Sequence, residues 1–249
     1  MDWSSVAGIL LALAGLVVGQ SLEGGKLSSL VQPAAFAIVV IGTFGAVLLQ
    51  TRPATLRRGI LMLRWIIRPP EDSRAALKKD IQQWNQTVRR AGPLALERHM
   101  AAATDPFMAK GLRMIIDGIQ PDKLRQLLDT EITAFETAER QAVRVWESAA
   151  GYSPTIGILG AVLGLIHVME NLSDPAKLGP GIAVAFVSTI YGVGLANLFF
   201  YPIANKLKNI VTAQVHQQEI AAAVFHDIAT GDFSRIMDER IATLMREHT

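Results

Sequence analysis

Hydrophobic residues along this chain gather into four long runs separated by polar stretches. The runs extend approximately from Ser4 to Gly19, Pro33 to Gln50, Tyr152 to Leu172 and Gly179 to Ala204. Each approaches the roughly 20 residues that a helix needs to cross a hydrocarbon layer about 30 Å thick. Between the second and third runs the apolar residues return at three- and four-residue steps, the period of a helix with one buried face. "EDSRAALKKDIQQWNQTVRR" predicts a helix capped by Asp72 and Ser73 and stopped before Gly92-Pro93. "LALERHMAAA" and "PFMAKGLRMIIDG" predict two more, the second closed by Gly118. Pro121 suits the first turn of a long helix whose Leu124, Leu128, Ile132, Phe135, Ala142 and Trp146 form one stripe, and which is expected to run on into the third apolar run. Beyond Ala204, "NKLKNIVTAQVHQQEIAAAVFHDIATG" and "DFSRIMDERIATLMREHT" read as an amphipathic helix and a short terminal one. No strand pattern competes, so the expected fold class is an all-α integral membrane protein with four transmembrane helices and a large helical cytoplasmic domain.

Composition agrees, with half of the 249 residues hydrophobic and a positive mean hydropathy. The first run follows Met1-Asp2 without a basic residue or a small-x-small cleavage site, and is read as a retained helix rather than a signal. There is no cysteine, which removes disulfides and thiolate metal sites. Charge changes the picture most. Of 24 Lys and Arg, 17 fall between residues 51 and 150 and five follow residue 204, leaving Lys26 and Lys177 in the two short loops. The positive-inside rule then puts both termini and the central segment in the cytoplasm and both short loops outside. The expected domains are residues 1–50 (spans one and two), 51–150 (cytoplasmic), 151–204 (spans three and four) and 205–249 (cytoplasmic helices).

Candidate chemistry is sparse. No P-loop, nucleophile elbow, HExxH or dinucleotide fingerprint occurs, so no enzyme and no cofactor is expected. His99, His216 and His226 lack metal-ligand spacing and are expected to pack or to face solvent. His167 and Glu170, one turn apart at the outer end of span three, suit the membrane interface better than a transport role. Small residues in spans three and four carry the sharper signal. Gly157, Gly160 and Gly164, and Ala183, Ala185, Ser188, Thr189, Gly192, Gly194 and Ala196, permit close helix approach, within one chain or against another. Pro154 and Pro202 lie near the cytoplasmic ends of their spans, where each frees a backbone carbonyl. Ala161 and Thr189 both sit roughly 15 Å from the outer end at 1.5 Å per residue. No carboxylate lies at that depth, so an ion-driven machine built from this chain must take its carboxylate from another helix.

"SPTIGILGAVLGLIHVMENL" and "GPGIAVAFVSTIYGVGLANLFFYPIANKLK", with "RRAGPLALERHM" and "DPFMAKGLRMIIDG", resemble the MotA/PomA family of flagellar motor stator proteins, closest to the shorter PomA- or MotC-like members. The resemblance covers nearly the whole chain. It implies a MotA/TolQ/ExbB-like fold in the bacterial inner membrane and a homo-pentamer around a single-span partner of the MotB, MotD or PomB type, which carries the ion-binding aspartate. It further implies torque delivered to the rotor protein FliG, and no nucleic acid. Span three, with its glycines as a smooth wall, would then face the partner's helix. By position, Arg89, Arg90 and Glu97 correspond to the family's rotor-facing charges, whereas Arg98 stands where sodium-driven members carry a second acid. Pro154, Pro202 and Thr189 match the family's functional prolines and threonine. Ala161 stands where sodium-driven members carry a threonine, which favours protons, since a bare sodium ion needs several oxygen ligands. An ExbB/TolQ-like energising subunit and a passive membrane scaffold are the competing expectations; the paired first and second spans argue against the former.

Overall fold

A computed structural model of the chain describes residues 3–70 and 74–231, with side chains from residue 7 to 70 and 76 to 231. The expected caps Asp72 and Ser73 and the terminal helix after residue 231 lie outside the described residues. Every regular element among the described residues is helical. Helix α1 is Trp3–Leu22; α2 joins Pro33–Phe36, a π-helical segment Ala37–Ile41 and Gly42–Gln50. After a break at Thr51-Arg52 come α3, Pro53–Met62, and the single turn Arg64–Ile67. Helices α4 (Arg74–Ala91), α5 (Glu97–Ala102) and α6 (Pro106–Ile116) follow. Helix α7 runs unbroken over 50 residues, Pro121–Glu170, and α8 is Pro175–Thr230, 56 residues.

Three helices are long and apolar enough to cross a membrane, Leu27–Gln50 together with the apolar parts of α7 and α8, and α1 adds the shorter apolar stretch Ala7–Leu22. Two boundaries differ from the expectation. The helix that carries span four starts at Pro175, where Asp174 caps the first turn by accepting from the Ala176 amide at 3.3 Å. The amphipathic helix after Ala204 is the continuation of span four, because Pro202 does not end it. The π-helical segment Leu195–Phe200 ends two positions before Pro202, and its wider turn absorbs the ring that would clash with the carbonyl one turn earlier.

The chain divides into two compact units, Met1–Pro70 with Glu139–Asn209, and Glu71–Ala138 with Ile210–Thr249. In the first, Trp146 donates from Nε1 to the Gly59 carbonyl at 3.0 Å and packs against Phe200, which meets Phe44 edge-on. Gly59 has no room for a side chain, since a Cβ there would lie 2.9 Å from the Ala142 carbonyl oxygen. Arg58 pairs with the buried Glu139 at 2.8 Å and covers the Trp65 ring. In the second unit, Leu77, Ile81, Trp84 and Val88 line the inner face of α4, and Trp84 stacks on Phe225 with ring centroids 5.4 Å apart. Leu124, Leu128 and Ile132 of α7 are buried in this unit too, as the periodicity predicts, while Phe135 is half-buried.

Candidate functional site

The small residues of α7 and α8 pair with each other. A Cβ added at Gly157 would lie 2.8 Å from the Ser188 carbonyl oxygen, one at Gly160 2.7 Å from Ser188 Oγ, and one at Gly164 2.7 Å from the Ala185 amide nitrogen. From the opposite side, a Cβ at Gly192 would lie 2.6 Å from the Ser153 carbonyl oxygen. Such backbone-to-backbone contact is what small residues supply in a bilayer, where lipid offers no hydrophobic drive for association. Ser153 adds a hydrogen bond from Oγ to the Gly192 carbonyl at 3.0 Å. Gly157, Gly160 and Gly164 are therefore buried by pairing within the chain rather than left open as a wall for another helix. The outward surface of α7 is instead aliphatic, formed by Ile158, Leu159, Val162, Leu163, Leu165 and Ile166. The sequence shows the small residues, but their facing requires the fold.

Thr189 sits at the edge of this interface, half-buried, beside the fully buried Ser188. Its hydroxyl donates to the Ala185 carbonyl at 3.4 Å, longer than an ordinary O–H···O bond. Ala161 and Pro154 are half-buried and Pro202 is exposed. His167 and Glu170 are both exposed. Further polar groups lie in the same unit, Thr43 and Asn197 among them unnamed by sequence reasoning and Ser188 named there only as a small residue. Thr43 and Ser188 are fully buried with no hydrogen-bond partner for their hydroxyls, and Asn197 is exposed on the π-helical segment, its Nδ2 donating to the Val193 carbonyl at 2.9 Å. The carboxamide at position 197, inside an apolar run, is the one legible sign of them.

In the second unit, α4 ends at Ala91, and Gly92, with φ 78°, turns the chain in the left-handed region before Pro93–Leu96 leads into α5. Arg89, Arg90, Glu97 and Arg98 flank this turn and are all exposed. A cleft of about 390 Å³ opens beside it, lined by Gln83, Gln86, Thr87, Arg90, Ala91, Arg98 and His99. Thr87 Oγ1, on a residue only 7% exposed, accepts from Arg98 Nη2 at 3.2 Å and lies 3.1 Å from His99 Nε2. Burial, and then the neighbouring Arg98 charge, hold the His99 imidazole below its ordinary value of 6.5, with Asp80 pulling the other way. His216 lies near Glu219, and His226 near Asp122 and Asp227. Among the described residues no three His, Cys, Asp or Glu form a metal-binding group.

Residues 99–220 match the model of the MotA/TolQ/ExbB proton channel family. Motility protein A of Bacillus subtilis (strain 168) is 30% identical over 244 residues, 97% of this chain and 90% of that protein. Motility protein A of Aquifex aeolicus (strain VF5) is 30% identical, over 98% of this chain and 97% of its own. The solved structure of the flagellar MotAB stator complex from Bacillus subtilis contains a chain that superposes with a TM-score of 0.86 at 29% identity, covering 97% of this chain and 95% of that one. With such relatives matched from end to end, the chain belongs to the MotA/TolQ/ExbB proton channel family, among its Motility protein A members.

Proposed function

We propose that this chain is a flagellar stator subunit that, with a single-span partner of the MotB, MotD or PomB type, conducts protons across the bacterial inner membrane and converts their flow into torque on the rotor protein FliG. The observation that carries this reading is the end-to-end likeness to a chain of a flagellar MotAB stator complex. In this reading five copies surround the partner, with both termini in the cytoplasm, an orientation supported by the placement of 22 of the 24 basic residues. Residues 1–50 and 151–204 form the membrane part, and 51–150 and 205–249 the cytoplasmic part.

The partner contributes the ion-binding carboxylate, because no Asp or Glu lies between Gly157 and Met169 or between Gly179 and Ala204. Thr189 and Ala161 line the path, and Pro154 and Pro202 bend where the spans enter the cytoplasm. The aliphatic face of α7 supplies the sliding surface, held at a fixed distance from α8 by the glycine contacts. Arg89, Arg90, Glu97 and Arg98, all exposed around one turn, meet the rotor. Exposed ion pairs contribute roughly 0.2 to 1 kcal/mol each, so torque transfer depends on several together.

The test is complementation of a motile bacterium lacking its own stator subunits, supplying this chain with its partner. Arg90→Glu is expected to weaken motility, and a charge-reversing change in FliG to restore part of it. Full motility of an Arg89→Glu, Arg90→Glu, Glu97→Lys triple variant would overturn the rotor-facing assignment.

A further inference from the structure

The chain that follows span two carries an outward face suited neither to water nor to the hydrocarbon layer. Helix α3, Pro53–Met62, and the turn Arg64–Ile67 belong to the same compact unit as the spans. They are tied to the spans at both ends. Gln50, the last residue of α2, accepts from the Tyr152 hydroxyl at 2.9 Å, and the turn Arg64–Ile67 packs on α1. Gly59, Met62, Trp65 and Ile66 form the buried side of this stretch. On the other side Arg57, Ile60, Leu61, Arg64, Ile67 and Arg68, at the spacing of a single helical face, are all exposed. A face turned to water gains nothing from three aliphatic side chains, and one turned to lipid tails does not tolerate three guanidinium groups. The zone between accepts both, because apolar side chains reach the acyl boundary there while long basic ones extend to the phosphates.

Charge selects the headgroup. No Asp or Glu occurs between Gly24 and Pro70, whereas five arginines stand from Arg52 to Arg68. Arg58 is committed to Glu139, but among the described residues Arg57, Arg64 and Arg68 pair with no carboxylate. A zwitterionic headgroup brings its own cation to the phosphate, so an anionic one is the better match for a face with cations alone. A guanidinium fork also bonds two phosphate oxygens at once.

We propose that this face binds the headgroup of an anionic phospholipid of the phosphatidylglycerol kind. Arg57, Arg64 and Arg68 hold the phosphodiester, and Ile60, Leu61 and Ile67 cover the acyl chains beside it. The bound lipid fixes α3 at the bilayer surface where the chain leaves span two. This inference requires only that span two crosses a bilayer, and the torque reading stands or falls apart from it.

The experiment uses the chain purified in detergent with its single-span partner, titrated separately with phosphatidylglycerol and phosphatidylcholine, bound lipid being counted by native mass spectrometry. Phosphatidylglycerol is expected to bind at least about tenfold more tightly. Arg57→Gln, Arg64→Gln and Arg68→Gln are each expected to lower that preference about fivefold, the scale of one basic side chain near an anionic surface. Leu61→Ser with Ile67→Ser is expected to weaken binding of both lipids. Arg113→Gln, at an exposed arginine of α6, is expected to change nothing, and an equal loss there would reduce the effect to net charge and overturn the site. Equal affinity for the two lipids in the parent, or full preference in the triple Arg→Gln variant, would overturn the proposal. Inorganic phosphate at millimolar concentration is expected not to displace the lipid; displacement would assign the face to soluble anions instead. A triple variant that loses copies of the chain from the complex yet keeps its lipid preference would assign the face to a second copy, and equally overturn the lipid site.

Discussion

The Cα of Gly157 lies 3.0 Å from where a Cβ on Gly192 would stand, so two glycines on neighbouring helices occupy each other's missing side chains. A methyl at either position meets backbone, which cannot rotate away, and α7 and α8 must separate along their contact. Gly192→Ala and Gly157→Ala are expected to destabilise the purified complex by about 1–3 kcal/mol, the usual cost of overpacking. Gly45→Ala and Gly194→Ala serve as controls, since a Cβ there meets nothing within 4 Å. Thermal unfolding of the four variants in one detergent checks the contrast, and equal melting of all four would contradict it.

Arg58 and Glu139 make a second, polar tie. Glu139 is 6% exposed and holds Arg58 through Nε at 2.9 Å and Nη2 at 2.8 Å, with the guanidinium 5.0 Å from the centre of the Trp65 ring. Removing the arginine strands a buried carboxylate, whereas Glu139→Gln keeps an acceptor and leaves Arg58 partly in water. Arg58→Ala is therefore expected to cost about 3 kcal/mol, toward the lower end of values for broken buried pairs because Arg58 is partly exposed. Glu139→Gln is expected to cost less. Chemical unfolding of both variants gives the order, and the reverse order would show that the guanidinium, not the carboxylate, is the harder group to leave unpaired.

His99 gives the cytoplasmic unit a pH dependence of calculable sign. Its folded-state value lies below the ordinary 6.5, first through burial and next through Arg98. Between the two values the unfolded chain binds more protons than the folded one, so stability rises with pH across the window just below 6.5 and is flat above it. Melting of the wild-type complex at pH 7.5 and 5.5 is expected to differ more than melting of His99→Gln, which keeps a polar side chain toward Thr87. Other titrating groups are common to both proteins. An identical pH dependence in the two would remove His99 as its source.

The long helices were legible because their signal is repetitive. Leu124, Leu128, Ile132, Ala142 and Trp146 recur at helical spacing, and nothing between them stops the helix, so α7 could be followed from Pro121 into the membrane. The continuity of α8 beyond Ala204 was not legible, because the apolar run ends there and the π-helical turn that accommodates Pro202 leaves no compositional trace. The glycines of α7 were legible as small but not as inward, since facing is a property of the pair of helices. Arg98 and Thr87 are joined across 11 positions by the Gly92 turn, and a charge pattern read along the chain counts Arg98 as one more exposed cation.

Under the function proposed here, the choice of ion turns on Thr189 and Ala161. Thr189 keeps only a 3.4 Å contact to the Ala185 carbonyl, so its half-buried hydroxyl is available to hold a water or to orient a carboxylate brought by the partner helix. Ala161 offers no oxygen, and no Asp or Glu of this chain lies near the midpoint of span three or four, an environment in which a proton needs only the partner's carboxylate and a sodium ion lacks ligands. If the hydroxyl serves that carboxylate as proposed, Thr189→Ala removes one hydrogen-bonding group from it, a loss of about 1 kcal/mol or more in a buried site, and is expected to slow rotation without preventing assembly. Tethered-cell speed in potassium buffer, with sodium withdrawn, is expected to stay constant and to collapse when a protonophore is added. Speed that follows external sodium and survives the protonophore would reject protons as the driving ion, and an undiminished speed in Thr189→Ala would remove that hydroxyl from the path.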